Sequence, residues 1–316
     1  MNGAPLLSLP GRRVPFIIAG PTAVGKTEIA LLLAEKVGGE IITVDSMQVY
    51  RGLDIGTAKP TPHERARVPH HLLDVVGLAD SFDAAKFVEL ARTAITEIDA
   101  RDRVPILCGG TGLYFKALLV GLGEAPPANP SLRAELEALA LPDLLSELAE
   151  RDPATLANID QQNQRRVVRA LEVIRLTGKP FSAQRADWKS AAQDSLANPW
   201  FGLARSNSDL RARIDARVDQ MFQAGLIAET ERLLTQGLAE NQTALQALGY
   251  RQVVEHLHAK RSIEETIELV KIRTRQFAKR QMTWFKRQLT LNWIELDSAE
   301  PPNSTVDRIV EKISNQ

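Results

Sequence analysis

The hydrophobic pattern of the chain alternates between short apolar runs and longer stretches with helical spacing. Apolar runs at 14–19, 40–44 and 104–108 are typical of buried strands. Stretches at 28–37 and 83–99 repeat apolar residues every three to four positions, which predicts helices. Strands that alternate with helices predict an α/β fold, in which a central parallel sheet lies between two layers of helices.

The pattern changes beyond residue 120. The segment GLGEAPPANP at 121–130 is rich in Pro and Gly, which indicates an exit from the core. Helical spacing then continues to about 186, and the following residues are expected to return the chain through a short strand. We therefore predict a leader over 1–13, a core formed by 14–126 and 205–316, and a mostly helical insertion domain over 127–204.

The segment GPTAVGKT follows directly on the first predicted strand. It matches the phosphate-binding pattern G-x-x-x-x-G-K-[ST], in which loop amides and a helix N-terminus converge on phosphate groups. We expect the loop to cradle a diphosphate, Lys26 to neutralise its charge, and the Thr27 hydroxyl to bind Mg²⁺. The diphosphate-binding candidates in this loop are Gly20, Pro21, Thr22, Ala23, Val24, Gly25, Lys26 and Thr27.

Two further polar turns follow predicted strands. Asp45 comes directly after the second strand, and the segment GGTG at 109–112 follows the third. Because ligands bind at the carboxyl ends of parallel strands, these turns should share one edge of the sheet with the phosphate-binding loop. A carboxylate there could hold Mg²⁺, as in a kinase or ATPase, or act as general base on an incoming nucleophile.

Composition narrows the class of protein only in part. The 39 basic and 39 acidic residues balance, so net charge argues neither for nor against a nucleic-acid partner. No stretch approaches the roughly 18 apolar residues of a membrane span, and the N-terminus lacks a signal-sequence pattern, so we expect a cytoplasmic protein without a membrane partner. The single cysteine, Cys108, lies in an apolar run and is expected to be a small buried residue.

The segment KIRTRQFAKRQMTWFKR at 271–287 is locally basic, with seven basic residues and no acidic one. The pattern fits either a solvated helix face or a surface that binds a polyanion. A helix here would place two rows side by side, an apolar row of Val270, Phe277 and Trp284 and a basic row of Arg273, Arg280 and Arg287.

Six segments together carry a family resemblance. They are DSMQVYRGLDIGTAKP (45–60), VPHHLLD (68–74), GGTGLYFKALL (109–119), QRRVVRALEV (164–173), QALGYRQ (246–252) and KRQMTWFKR (279–287). This set, in this order, resembles the bacterial tRNA dimethylallyltransferases, also called tRNA isopentenyltransferases, over about residues 14–295. The resemblance implies that the protein transfers a dimethylallyl group from dimethylallyl diphosphate to N6 of the adenosine on the 3′ side of a tRNA anticodon.

The resemblance also implies roles for individual residues. Asp45 corresponds to the base that accepts the proton of the adenine amine, and Thr111 to a threonine that hydrogen-bonds the diphosphate. Arg213 and Arg217 lie where similar proteins place a diphosphate-binding arginine, and the sequence does not choose between them. The implied partners are dimethylallyl diphosphate, Mg²⁺ and the anticodon stem-loop of tRNA, and we expect a monomer.

The target adenosine must leave the stacked anticodon loop before its amine can react. The resemblance makes the basic segment a tRNA-contacting helix, since RNA loops are bound by arginines and stacking surfaces. Trp284 is assigned to packing in preference to base stacking. The implied tRNA contacts are Asp45, Ser46, Met47, Gln48, Thr111, Arg133, Gln164, Arg165, Arg166, Val167, Val168, Gln246, Ala247, Leu248, Gly249, Tyr250, Arg251, Lys279, Arg280, Gln281, Met282, Thr283, Trp284, Phe285 and Lys286.

Two rival functions are compatible with some of these features. A P-loop phosphotransferase would use Asp45 to hold a metal or a substrate hydroxyl, and it would turn over ATP in a manner that depends on Lys26. A tRNA-binding protein without catalysis would explain the basic segment but would leave the phosphate-binding loop and Asp45 without a role.

Overall fold

The computed structural model describes residues 14–123, 125–184 and 198–314. The predicted leader and most of the predicted return connection lie outside these residues. The described strands are β1 (Phe16–Ala19), β2 (Gly39–Val44), β3 (His70–His71), β4 (Val104–Gly109), β5 (Trp200–Ala204) and β6 (Asn292–Glu295). The described helices are α1 (Lys26–Val37), α2 (Pro62–Arg67), α3 (Ala84–Ala100), α4 (Gly112–Val120), α5 (Pro130–Glu137), α6 (Leu141–Arg151), α7 (Pro153–Asn158), α8 (Gln164–Thr177), α9 (Phe181–Gln184), α10 (Asn207–Gln223), α11 (Leu226–Leu234), α12 (Tyr250–Leu257), α13 (Ile263–Gln288) and α14 (Pro302–Ser314).

Within the described residues, six strands form one parallel sheet in the order β3-β2-β4-β1-β5-β6. The predicted parallel α/β core is therefore confirmed. Strand β4 lies between β1 and β2, so the carboxyl ends of these three strands are neighbours. This edge carries the phosphate-binding loop, Asp45 and the turn that contains Thr111.

The four central strands β1, β2, β4 and β5 are mostly buried because most of their residues are apolar. All six residues of β2 are buried, and one apolar cluster joins sheet residues to α1 and α14. Val306 and Ile309 of α14 enter this cluster, although no prediction was made for that helix. The strands β3 and β6 were also not predicted, because two to four residues are too few for a period to be recognised.

The long helix α13 confirms that the basic segment is helical, but its buried face differs from the predicted apolar row. Phe277 is 36% exposed and Trp284 is half-buried. The face that packs against neighbouring helices includes small and polar residues, which a search for apolar positions does not find. The buried row is Thr266, Val270, Thr274, Ala278, Gln281 and Phe285.

The described residues form two compact units, which divide at residue 120 and again within the stretch between the described segments 125–184 and 198–314. The smaller unit, 120–123 and 125–184, packs α5, α6 and α8 around an apolar cluster that includes Leu136, Leu148 and Leu171. The larger unit holds the sheet. Two predicted boundaries are corrected: residues from 120 onwards belong to the smaller unit, and Trp200–Ala204 belongs to the core because β5 pairs with β1 and β6.

Among the helices of the described residues, none is both long and apolar enough to cross a bilayer.

Candidate active site

The phosphate-binding loop connects β1 to α1, as the sequence predicts. Gly25 precedes the helix with a φ of 109°, a conformation that residues with a side chain rarely adopt. A cavity of about 370 Å³ adjoins the loop, and both candidate arginines lie on it, so the structure brings Arg213 and Arg217 together at one site. The lining residues are Ala23, Gly25, Lys26, Thr27, Glu28, Glu64, Arg213, Ala216, Arg217 and Gln220.

Side chains from distant segments hold the loop in shape. Arg213 Nε donates to the carbonyl of Ala23 at 3.0 Å, and Arg205 Nε donates to the carbonyl of Val24 at 2.8 Å. Arg205 comes from the turn after β5 and is itself paired with an acidic residue of α10. Sequence reasoning missed Arg205, because a single arginine after a short strand carries no local signal.

Lys26 lines the cavity together with Arg213 and Arg217. Its Nζ donates to the carbonyl of Pro21 at 2.7 Å. Burial of the ammonium is the main reason that the pKa of Lys26 is lowered to about 8; the positive charge of Arg217 acts in the same direction, and the negative charge of Asp45 opposes it. Burial also lowers the pKa of Arg217, against the effect of Asp45. The cavity thus combines the cationic residues Lys26, Arg213 and Arg217 with the acidic residues Glu28 and Glu64.

Asp45 is held in a defined turn at the end of β2. Its Oδ1 accepts hydrogen bonds from the backbone N–H of Met47 at 2.8 Å and of Gln48 at 3.2 Å. The N–H of Ser46 donates to Thr111 Oγ1 at 3.1 Å, and the N–H of Thr111 donates to the carbonyl of Val44. Ser46 therefore links the two predicted catalytic residues. It follows Asp45 in the chain, and its N–H is bonded to the hydroxyl of Thr111.

The loop from Asp45 to Pro60 is stabilised by its own polar residues. Lys59 is buried, and its ammonium donates to the carbonyl of Tyr50 and to the carboxylates of Asp54 and Asp74. Gln48 Nε2 donates to the carbonyls of Thr57 and Ala58. Because a buried ammonium is stable only when it is fully paired, Lys59 fixes the path of the loop that presents Asp45.

A buried acidic residue of α11 anchors the tip of the same loop. Glu229 accepts hydrogen bonds from the N–H groups of Ile55 and Gly56 and from the hydroxyl of Tyr250, the last at 2.6 Å. Tyr250 is fully buried, and burial together with Glu229 raises the pKa of its hydroxyl. Sequence reasoning missed Glu229, which looks like an ordinary helix-surface acid until its partners are known.

We expect Gly56→Ala to destabilise this loop. A Cβ at residue 56 would lie 2.4 Å from Cε2 of Tyr250, which cannot move freely because its hydroxyl is bonded to Glu229. Overpacking of this kind costs about 1–3 kcal/mol. A thermal-unfolding measurement should show a lower Tm, whereas Gly178→Ala, which meets no atom within 4 Å, should cost only the strain of its positive φ. Equal Tm values for wild type and Gly56→Ala would show that the contact between residue 56 and Tyr250 does not stabilise the loop.

The predicted tRNA contacts separate into exposed and buried sets. The exposed residues are Arg165, Arg166, Gln246, Arg251, Lys279, Arg280, Thr283 and Lys286. The half-buried residues are Asp45, Ser46, Met47, Gln48, Thr111, Arg133, Gln164, Leu248, Met282 and Trp284. The remaining residues are buried in this structure: Val167, Val168, Ala247, Gly249, Tyr250, Gln281 and Phe285.

The basic surface of α13 is narrower than its composition suggests. Lys271 is paired with Asp219 at 2.8 Å and Arg275 with Asp215 at 3.5 Å, both across to α10. The exposed basic residues of the helix are Arg273, Lys279, Arg280, Lys286 and Arg287.

Trp284 lies beside the candidate site. Its ring covers Gly112, where a Cβ would come within 2.2 Å of Cε3, and it meets Phe285 edge to face. Trp284 therefore packs against this turn while remaining half-buried. Because Gly112 follows Thr111, this packing also fixes the end of α13 against the turn that carries the candidate hydroxyl.

In the smaller unit, Arg133 is held by a buried carboxylate. Glu172 accepts hydrogen bonds from Arg133 Nη2 and Arg169 Nη1, both at 2.6 Å, and from the N–H of Asn129. Burial alone would raise the pKa of Glu172, but the two arginines outweigh it and hold the pKa below its usual range. The guanidinium of Arg133 is thereby oriented while remaining partly exposed.

Cys108 is buried as predicted, and burial raises the pKa of its thiol to about 11, so it is neutral at physiological pH.

Comparison with known proteins places these features in context. The family model described as IPP transferase matches residues 48–288. A tRNA dimethylallyltransferase of Geotalea uraniireducens is 44% identical over 286 residues, which cover 89% of this chain and 91% of the relative. That of Geobacillus kaustophilus is 41% identical over 307 residues, 95% of this chain and 96% of the relative.

Solved structures agree with the sequence comparison. The tRNA isopentenylpyrophosphate transferase of Bacillus halodurans is 39% identical, with a TM-score of 0.68 over 96% of this chain and 98% of that one. A eukaryotic dimethylallyltransferase, crystallised acting on tRNA, has a TM-score of 0.75 at 26% identity, over 96% of this chain and 80% of that one.

Proposed function

This chain belongs to the IPP transferase family, and we propose that it is a tRNA dimethylallyltransferase. It transfers the dimethylallyl group of dimethylallyl diphosphate to N6 of the adenosine that follows the anticodon of a tRNA. The products are N6-isopentenyladenosine and diphosphate.

One observation carries this proposal beyond family membership. The carboxyl ends of the neighbouring strands β1, β4 and β2 bring together the phosphate-binding loop and the turn that begins at Asp45. The cavity at the loop is lined by Lys26, Arg213 and Arg217, and the negative charge of Asp45 opposes the burial that lowers the pKa of Lys26. A diphosphate leaving group needs a cationic cradle, and a nucleophile that must lose a proton needs a base nearby. Binding of phosphates alone would not require the base.

The reaction exchanges one bond for another. N6 of adenine attacks the allylic carbon, the carbon–oxygen bond to the diphosphate breaks, and the electron pair leaves with the diphosphate. Asp45 accepts the proton that N6 loses. Loop amides, Lys26, Arg213 and Arg217 stabilise the negative charge that develops on the leaving oxygen, which is the kind of stabilisation that contributes most to catalysis.

Mg²⁺ fits the donors on the cavity. Thr27 and Glu28 both line it and carry oxygen ligands, and Mg²⁺ prefers one or two protein oxygens together with phosphate oxygens and water. Thr27 would hold the ion, which when bound would neutralise charge on the diphosphate. The residues of the chain then orient the diphosphate and accept the proton.

The tRNA binds through basic residues that remain exposed. Arg280 and Arg287 on α13 are not engaged by acidic partners among the described residues, unlike Lys271 and Arg275. Phe277 adds an exposed ring, with the Arg280 guanidinium 5.9 Å from its centroid. Aromatic faces beside arginines bind unstacked bases, as extrusion of the target adenosine requires.

We expect the double variant Arg280→Ala, Arg287→Ala to bind tRNA more weakly and with a flatter dependence on salt. Each phosphate contact to single-stranded RNA contributes about 0.7 to the slope of log K against log salt, so the slope should fall by roughly 1.4. Filter binding from about 50 to 200 mM salt measures this. An unchanged slope would show that these residues do not meet phosphates.

The decisive test of function is incubation of the protein with labelled dimethylallyl diphosphate and unmodified tRNA, followed by nucleoside analysis. Label in isopentenyladenosine supports the proposal. ATP turnover without prenyl transfer would establish a phosphotransferase instead. RNA binding that ignores dimethylallyl diphosphate, in a protein without turnover, would favour the non-catalytic alternative.

A further inference from the structure

Gln281 lies on the RNA-facing helix α13 but points inward. Its side chain is buried, with 9% exposure, and both the oxygen and the nitrogen of its amide are hydrogen-bonded. Oε1 accepts a hydrogen bond from the N–H of Thr22 at 2.9 Å, and Nε2 donates to the carbonyl of Gly110 at 2.9 Å. One side chain thus joins the phosphate-binding loop to the turn after β4.

The turn after β4 continues to Thr111, which is bonded to the turn that carries Asp45. Thr111 follows Gly110, and its Oγ1 accepts from the N–H of Ser46, the neighbour of Asp45. Three hydrogen bonds, together with the peptide links from Gly110 to Thr111 and from Ser46 to Asp45, therefore connect the cradle of the leaving group with the base. Gln281 is the member that spans the two halves.

The packing at this point leaves no room for change. A Cβ at residue 110 would lie 2.5 Å from Gln281 Nε2, so only glycine permits the approach. In a phosphate-binding loop, backbone N–H groups point at the ligand. The N–H of Thr22 instead donates to Gln281, and this hydrogen bond sets the position of the loop.

We propose that Gln281 is a positioning residue that sets the distance between the diphosphate cradle and the Asp45–Thr111 side of the site. The inference rests on the proposed function and gives this position a different role from the other residues of the same segment. A residue that contacts RNA directly would contribute to tRNA affinity. Gln281 instead acts on the loop, so it contributes to diphosphate affinity and to the rate of the chemical step.

The variant Gln281→Met keeps the length of the side chain and removes both hydrogen bonds. We expect binding of inorganic pyrophosphate with Mg²⁺ to weaken about tenfold, and the single-turnover rate to fall about 10- to 100-fold, as for a misplacement of about 1 Å. The Kd for tRNA should stay within about twofold of wild type. Titration calorimetry and rapid-quench measurements give these quantities separately.

A second variant tests the same contact from the other side. Gly110→Ala should displace the Gln281 amide and reproduce the losses of Gln281→Met, and the double variant should lose little more, because both changes break one interaction. Gln276→Met makes the same replacement at an exposed site on the same helix and should leave all three quantities unchanged.

The outcomes are distinct. Weaker tRNA binding with a normal rate in Gln281→Met would overturn the proposal and make Gln281 an RNA contact. A lower Tm with normal pyrophosphate affinity and rate would reduce its role to packing. The pyrophosphate measurement needs neither tRNA nor turnover, so a wild-type protein that fails to transfer a prenyl group would refute the proposed function and leave this test intact.

Discussion

The Asp45→Asn variant should still bind both substrates but should lose most of its catalytic rate. The carbonyl oxygen of asparagine can still accept from the N–H groups of Met47 and Gln48, so the turn at the end of β2 is preserved. The amide cannot take the proton of N6, and loss of a general base lowers rates by roughly 10²- to 10⁴-fold. A single-turnover assay with saturating dimethylallyl diphosphate and tRNA measures this loss.

Binding measurements separate this effect from a damaged site. Removal of the Asp45 charge takes away a repulsive partner of the diphosphate, so pyrophosphate affinity should be equal to that of wild type or higher. Asp143→Asn, which makes the same replacement at an exposed position of α6, is the matched control and should retain the rate. A near wild-type single-turnover rate in Asp45→Asn would show that another group is the base.

Lys26→Met should abolish most pyrophosphate binding and change its dependence on pH. The pKa of Lys26 is about 8 because burial disfavours its charged form. Below that pH the ammonium attracts the diphosphate, and above it the neutral amine does not. The affinity of the wild-type protein should therefore fall as pH rises through about 8, by up to about tenfold per pH unit.

The variant also provides the control for this pH dependence, because pyrophosphate itself ionises in the same range. Titration of Lys26→Met at each pH reports the contribution of the ligand alone, and the difference from wild type reports Lys26. Loss of a charge-assisted hydrogen bond and of the Coulomb attraction should weaken binding by about 10²-fold at pH about 7. The same pH dependence in both proteins would mean that the ammonium does not bind the diphosphate.

Local patterns predicted the regular core well. The three strands, the intervening helices and the convergence of polar turns at one edge follow from the apolar runs and from the topology of parallel sheets. The strands β3 and β6 and the helix α14 were missed, because two to four residues show no period and because α14 follows a region for which no element was expected.

The sequence boundaries of the smaller unit were less well predicted. The Pro- and Gly-rich segment marks the exit from the core to within a few residues of 120. The return was placed too late, because β5 was counted with the insertion although its pairing with β1 makes it part of the sheet. Pairing between distant segments is not visible in a local pattern.

The sequence by itself determined the chemistry of this protein. A glycine-rich loop, a lysine, a threonine and an aspartate after strands define what the site can bind, because their functional groups and their order along the chain are local properties. Only the tertiary structure decided which side chains serve that chemistry and which hold it in place. Gln281, Tyr250 and Glu229 are polar residues on helices, and their roles depend on partners that lie between 21 and 259 residues away. Direction and burial of a side chain are set by packing between such distant segments, and no local pattern records them.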